Sequence, residues 1–264
     1  MSGQRYCRQD LLFLATTCEK AGRYHDMRDY VKEFVAEGFD LSPMERHLFS
    51  IAYKNIMGGL RASWRSLKSI ENAFGATDNR IERFTQILSV IEAEIYEIAT
   101  EVLDQLCNCI LPTCTGYEAK VYYLKLQGDY QRYMTEISSG KKHDDWASEA
   151  HASYKKAADI ALVRLPPISS TRLGVLMNFS VFYYDVYHSP ERACLLSKTA
   201  YDDAIEGGLF QPRRVAEDGD EYNNSLEILK LLKGNLQFWT RQLPSITQLS
   251  VPQNHKSDYN RNKQ

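Results

Sequence analysis

Apolar residues recur three and four positions apart along most of the chain, and the recurrence breaks at a limited set of places. That spacing is the signature of helices with one buried face, because 3.6 residues complete a turn. The pattern predicts nine helices, over 4–20, 24–37, 43–72, 78–111, 117–139, 142–165, 171–188, 191–207 and 221–241. The third and fourth, about 30 residues each, would span roughly 45 Å at the helical rise per residue. Short connections between them imply antiparallel neighbours, so the expected fold class is all-α.

Proline supplies the punctuation. Pro43, Pro112, Pro166, Pro167, Pro190, Pro212, Pro244 and Pro252 all fall at or between the predicted helix ends, as expected of a residue excluded from helix interiors. Ser42-Pro43-Met44-Glu45 reads as an N-cap, a proline in the first turn and a capping-box acid, and Ser189-Pro190 as a second start of this kind. Residues 1–241 then form one helical domain, with a loop over 208–220. Residues 242–264 lack apolar spacing and carry Lys256, Arg261 and Lys263 against Asp258, which predicts a disordered basic tail.

Composition narrows the function classes. Of 264 residues, 32 are Lys or Arg and 34 are Asp or Glu, a balance of −2 that disfavours a general nucleic-acid or membrane-surface binder. The N-terminal residues lack the apolar stretch of a secretory leader, and the longest apolar runs are too short to cross a bilayer. Six cysteines without regular spacing suit a reducing compartment, and Cys107, Cys109 and Cys114 do not have a usual zinc spacing. No glycine-rich phosphate loop and no nucleophile–base constellation is visible, so neither catalysis nor a cofactor or metal is expected.

Four helix faces carry unexpected polar residues. Lys54, Arg61 and Arg65 are spaced i, i+7 and i+11 on the third helix. Lys125, Asp129, Arg132 and Tyr133 share a face of the fifth, Asn178, Val181 and Asp185 one of the seventh, and Ile228, Leu231, Asn235 and Trp239 one of the ninth. If these faces converge, they form a groove with one basic wall and one mixed apolar and amide wall. Guanidinium forks and a tyrosine hydroxyl suit a phosphate dianion, and asparagine amides suit an extended peptide backbone. The same spacings also describe solvated faces with weak ion pairs, and periodicity does not choose between the two.

Longer motifs do choose. Tyr53-Lys54-Asn55 with Arg61-Ala62-Ser63-Trp64-Arg65, then Gly128-Asp129-Tyr130-Gln131-Arg132-Tyr133, then Arg172-Leu173-Gly174 with Asn178-Phe179-Ser180-Val181-Phe182-Tyr183-Tyr184, then Asn235-Leu236-Gln237-Phe238-Trp239, stand in this order. Together they resemble the signatures of the 14-3-3 family, over residues 18–240. The resemblance implies a non-enzymatic, cytoplasmic adaptor, with the nucleus a second compartment open to it. Such an adaptor docks phosphoserine or phosphothreonine segments of client proteins in a concave groove, and regulates them by conformational change, masking or scaffolding. It implies a phosphate pocket of Lys54, Arg61, Arg132 and Tyr133, and backbone contacts from Asn178 and Asn235. The implied groove lining is Lys125, Met177, Val181, Asp185, Ile228, Leu231 and Trp239.

The resemblance also implies a cup-shaped homodimer, or a heterodimer with another member of the family. The surface would include Arg23, Asp26, Ser63, Ile87, Val90 and Glu94, with an Arg23–Glu94 ion pair between subunits. Departures from the family pattern are Asp185 for a glutamate, Met177 for a leucine, Val90 for a lysine, Ile87 for a tyrosine and a longer 207–221 connection. The tail is basic where the family's is acidic, so it is not expected to occupy the basic groove. The competing reading is a TPR-like scaffold for unphosphorylated peptides, suggested by helix pairs and the alanines of 154–158, although a 34-residue repeat is absent.

Overall fold

Ser42 and Glu45 form a reciprocal pair at the start of a long helix. The Glu45 carboxylate accepts the Ser42 backbone N–H at 2.7 Å, and Ser42 Oγ accepts that of Glu45 at 3.3 Å. This is the expected capping box, and it satisfies donors that a helix N-terminus otherwise leaves over. Arg8 Nε reaches the same carboxylate at 2.6 Å, so the cap also ties the first helix to the third.

The computed structural model describes residues 6–71, 80–209 and 219–243. Among the described residues there are nine α-helices and no strand: α1 (Arg8–Lys20), α2 (Tyr24–Ala36), α3 (Pro43–Glu71), α4 (Ile81–Gln105), α5 (Tyr117–Glu136), α6 (Gly140–Arg164), α7 (Ser170–Asp185), α8 (Pro190–Glu206) and α9 (Gly219–Thr240). No helix among them is long and apolar enough to cross a membrane. The loop expected over 208–220 and the tail expected over 242–264 lie largely outside the described residues.

Several ends differ from the sequence expectation: α1 begins at Arg8 rather than 4, α5 ends at Glu136 rather than 139, and two further ends carry a change of backbone conformation. α4 stops at Gln105 and gives way to a π-helical turn, Leu106–Ile110, in which the Leu111 N–H bonds to the Leu106 carbonyl at 2.9 Å. One wider turn barely alters an apolar period, so the pattern read as a single helix. α7 ends at Asp185, earlier than expected, and His188 adopts a left-handed conformation with φ 46°. The Ser189 N–H folds back to the Tyr183 carbonyl at 2.9 Å, closing the helix by a turn that usually employs glycine. Ser189 and Pro190 then begin α8, as the sequence predicts.

The chain divides into two compact units, Met1–Arg164 and Leu165–Gln264. In the first, α1 to α6 enclose a core that includes Phe34, Phe49, Tyr53, Ile95 and Tyr130. A half-buried polar knot is centred on Glu101, which takes hydrogen bonds from Arg28 Nε at 2.7 Å, Lys32 Nζ at 2.7 Å and the Tyr53 hydroxyl at 2.5 Å. Burial alone would push Glu101 up, but these donors outweigh it and hold its pKa at about 2. α6 buries Ala147, Ala150, Ala157, Ala158 and Ala161, and these small side chains let it approach α5 closely. The alanines that suggested a repeat scaffold serve that contact. In the second unit, Trp239 stacks on Tyr184 with ring centroids 5.1 Å apart, beside Ala193, Cys194 and Leu243.

Candidate functional site

α5 carries the polar centre of the first unit, and its position is fixed by contact with α6. Gly128 lies against the Tyr154 ring: a Cβ there would fall 2.9 Å from two ring carbons, so only glycine fits. The Tyr154 hydroxyl, wholly buried, donates to Asp129 Oδ1 at 2.5 Å and accepts from Arg132 Nε at 3.3 Å. Lys125 Nζ donates to Asp129 Oδ2 at 2.8 Å. Asp129 is therefore a buried counter-ion that orients both cations. Burial opposes its charge, but Lys125 and Arg132 prevail and hold its pKa below the usual carboxylate range.

One turn along α5 the cations converge. Arg61 of α3 forks onto Glu136 through Nε, at 3.0 Å, and through Nη2. Arg65 Nη2 donates to Glu136 Oε1 at 2.9 Å, and Arg132 Nη1 stands 3.8 Å from the same atom. The Arg61 guanidinium also lies 3.8 Å over the Tyr133 ring, with that of Arg132 at 4.9 Å from the ring centroid. Cation–π stacking and the carboxylate thus hold the guanidinium planes in place. Burial favours the neutral form of Glu136, yet the arginines hold its pKa down, Arg61 foremost.

Lys125, Arg61, Arg65 and Arg132 against the carboxylates of Asp129 and Glu136 leave two positive charges uncompensated within a small volume. Surplus positive charge with oriented N–H donors can accept a second anion with several acceptor oxygens. Of the residues expected to bind phosphate, Arg61, Arg132 and Tyr133 are brought together. Lys54 lies on α3 two turns before Arg61, exposed and without an ion pair among the described residues. Glu136 and Tyr154 were not foreseen. The i, i+4 spacing of Arg132 and Glu136 and the glycine at position 128 were the signals available in the sequence.

In the second unit, α7 presents Met177, Asn178 and Val181, all half-buried, and Asp185, exposed. α9 presents Ile228 and Asn235, half-buried, and Leu231, which is 55% exposed. Trp239 is interior, 3% exposed. Arg172, from the third motif, bonds to Asp203 Oδ2 on α8 at 2.6 Å and to the Leu165 carbonyl at 3.1 Å. It organises the unit and is nearly buried.

Of the residues expected at a dimer surface, Arg23, Ser63, Ile87, Val90 and Glu94 are exposed on the first unit and Asp26 is half-buried. Ile87 and Val90 each show 56% of their surface, one turn apart on α4, and Ser63 and Glu94 are exposed. Arg23 pairs with Asp26 of its own chain.

The family description "14-3-3 protein" matches residues 14–240. Protein BMH2 of Saccharomyces cerevisiae is 39% identical over 239 residues, covering 89% of this chain and 85% of that protein. A 14-3-3-like protein of Chlamydomonas reinhardtii is 40% identical over 241 residues, 89% of this chain and 90% of its own. Human 14-3-3 protein beta/alpha is 37% identical over 235 residues, 89% and 93% of the two chains.

Proposed function

The chain belongs to the 14-3-3 family, and from that premise we propose that it is an adaptor for phosphoserine- or phosphothreonine-containing segments of client proteins. The observation that carries this reading is the gathering of Arg61, Arg65 and Arg132 around Glu136, with Tyr133 beneath. A phosphate dianion would neutralise the surplus charge, and its oxygens would take guanidinium N–H donors already oriented by Glu136 and Tyr154. Lys54, exposed on the same helix as Arg61, supplies a further ammonium, and the Tyr133 hydroxyl a donor.

Asn178 and Asn235 of the second unit address the peptide backbone in this reading, and so act without regard to sequence. Met177, Val181, Ile228 and Leu231 offer apolar contacts to the flanking side chains, and Lys125 and Asp185 polar ones. Recognition fixes the client in one conformation, masks the segment or bridges two clients. The sequence of residues 242–264 is basic, so it is not expected to compete with a phosphate for a basic pocket.

The protein acts as a dimer, with itself or with another family member, through a seam that includes Ile87 and Val90. Because Arg23 already has Asp26 in its own chain, its pairing with Glu94 of a partner would exchange one ion pair for another and contribute little.

A peptide library displayed in phosphorylated and unphosphorylated forms tests the reading. Retention of the phosphorylated members alone, lost in Arg61→Ala, supports it. Equal retention of both forms favours the scaffold for unphosphorylated peptides.

A further inference from the structure

A cleft of about 560 Å³ opens on the first unit between α4, residues 137–139 and the start of α6. Its chemistry is the reverse of the arginine cluster's. Glu92 and Tyr96, at i and i+4 on α4, face Asp145, Trp146 and Glu149 of α6, with Lys142 at the rim. Three carboxylates against one ammonium give the cleft a net negative charge, and two aromatic rings contribute to its wall.

Two of the carboxylates are pinned by bonds that occupy only one oxygen. Trp64 Nε1 donates to Glu92 Oε1 at 2.9 Å, and Gln131 Nε2 to Glu149 Oε2 at 3.3 Å. Asp145 has no ion pair or hydrogen bond among the described residues. At 100° per residue, Tyr96 lies about half a turn round α4 from Ile87, so the cleft is not part of the apolar face at Ile87 and Val90.

The ligand chemistry follows from what these groups can and cannot do. Among the described residues no three carboxylate, imidazole or thiol groups converge tightly enough to hold a metal ion, which would need several oxygens at bonding distance. A volume in the range of small-molecule pockets, with aromatic walls and dispersed negative charge, fits a larger and weakly hydrated cation. Alkylated ammonium meets that description: its methyl groups pack on ring faces while its charge is felt by carboxylates that need not touch it. We infer that this cleft binds a quaternary or methylated ammonium group, held by Tyr96 and Trp146 and neutralised by Glu92, Asp145 and Glu149. The same headgroup occurs on a trimethylated lysine side chain and on a free choline-like amine.

Fluorine NMR of the full chain labelled with fluorinated tryptophan tests this, because Trp64, Trp146 and Trp239 report separately and Trp146→Phe identifies the relevant signal. Tetramethylammonium should shift the Trp146 signal saturably. Neopentyl alcohol, its uncharged counterpart in shape, should bind more weakly by about tenfold or more, the charge contributing over one unit of log affinity. The Asp145→Asn, Glu149→Gln double variant should lose about tenfold for tetramethylammonium with its helical circular dichroism intact. A trimethyl-lysine peptide and choline, titrated in turn, distinguish the sources: tighter binding of the peptide assigns a protein side chain, tighter binding of choline a free amine. Absence of a saturable Trp146 shift, equal affinity for the uncharged counterpart, or indifference to the double variant would overturn the inference. Phosphopeptide binding is expected to be unchanged in the double variant, so this result stands apart from the reading of the arginine cluster.

Discussion

The Tyr154 hydroxyl donates to Asp129 across the α5–α6 contact at 2.5 Å and, through the same oxygen, accepts from Arg132 at 3.3 Å. A wholly buried tyrosine thereby sets the orientation of a cation of the arginine cluster. Tyr154→Phe keeps the ring and removes both bonds. Leaving a buried carboxylate and guanidinium short of a partner should cost about 1–3 kcal/mol of stability. Affinity for a phosphopeptide should also fall, while the helix content stays. Urea unfolding and a binding titration on the same variant check the two effects.

Gly128 is required by the ring beside it. In Gly128→Ala the new methyl would meet Tyr154 carbons at 2.9 Å, and neither partner can move freely in a close-packed interior. Overpacking of this kind should destabilise by about 1–3 kcal/mol. Gly234, inside α9, has no atom within 4 Å of an added Cβ. Gly234→Ala should stabilise by roughly 0.4–1 kcal/mol through helix propensity and the unfolded chain's entropy. The pair of unfolding midpoints, shifted in opposite directions, checks the argument.

Acid sensitivity should arise in part at Glu101. Its folded pKa of about 2 lies below the ordinary carboxylate value, so the folded state binds this proton less readily than the unfolded chain does. The resulting stabilisation is present above the ordinary carboxylate pKa, about 4.3, and is lost as pH falls from there through about 2. Glu101→Gln should flatten the stability profile in that window and lower stability at neutral pH. Denaturant midpoints measured across the window in both proteins decide it.

The dimer should depend on apolar contact more than on charge. Ile87 and Val90 are each 56% exposed in the free chain, and burying an aliphatic side chain fully contributes about 1.5–3 kcal/mol. Exposed ion pairs contribute about 0–1 kcal/mol and are screened by salt. Sedimentation should show a dimer at micromolar concentration that persists at high salt, and Ser63→Glu should dissociate it by placing charge in the seam. A monomeric wild type would remove the claim, and a fully dimeric Ser63→Glu would remove the switch.

The helices were legible because proline and the three-and-four spacing are local signals, and Ser42 with Glu45 announced a cap that the structure contains. The π turn at Leu106–Ile110 and the left-handed His188 were not legible, because each alters the backbone without altering the apolar pattern. The pocket divided in the same way. Arg132 and Tyr133 lie on one helix face and were found by spacing. Arg61 meets Glu136 across 75 residues and Tyr154 meets Asp129 across 25, and separations of that size are set by packing. Motif resemblance supplied what spacing lacked, since it carries the packing of the family with it. Trp239 shows where that transfer needs the structure: it shares a face with Asn235 in the sequence, yet it is interior.

The central claim is that the arginine cluster recognises phosphate, and calorimetric titration with one peptide in phosphorylated and unphosphorylated forms tests it most directly. Loss of a hydrogen-bonded charge contact should cost about 2–5 kcal/mol, so Arg132→Ala should weaken binding of the phosphorylated form by well over tenfold. Wild type should bind only that form, and the variant should keep its helical circular dichroism. Equal affinity of wild-type protein for both forms, or full affinity in Arg132→Ala, would contradict the account.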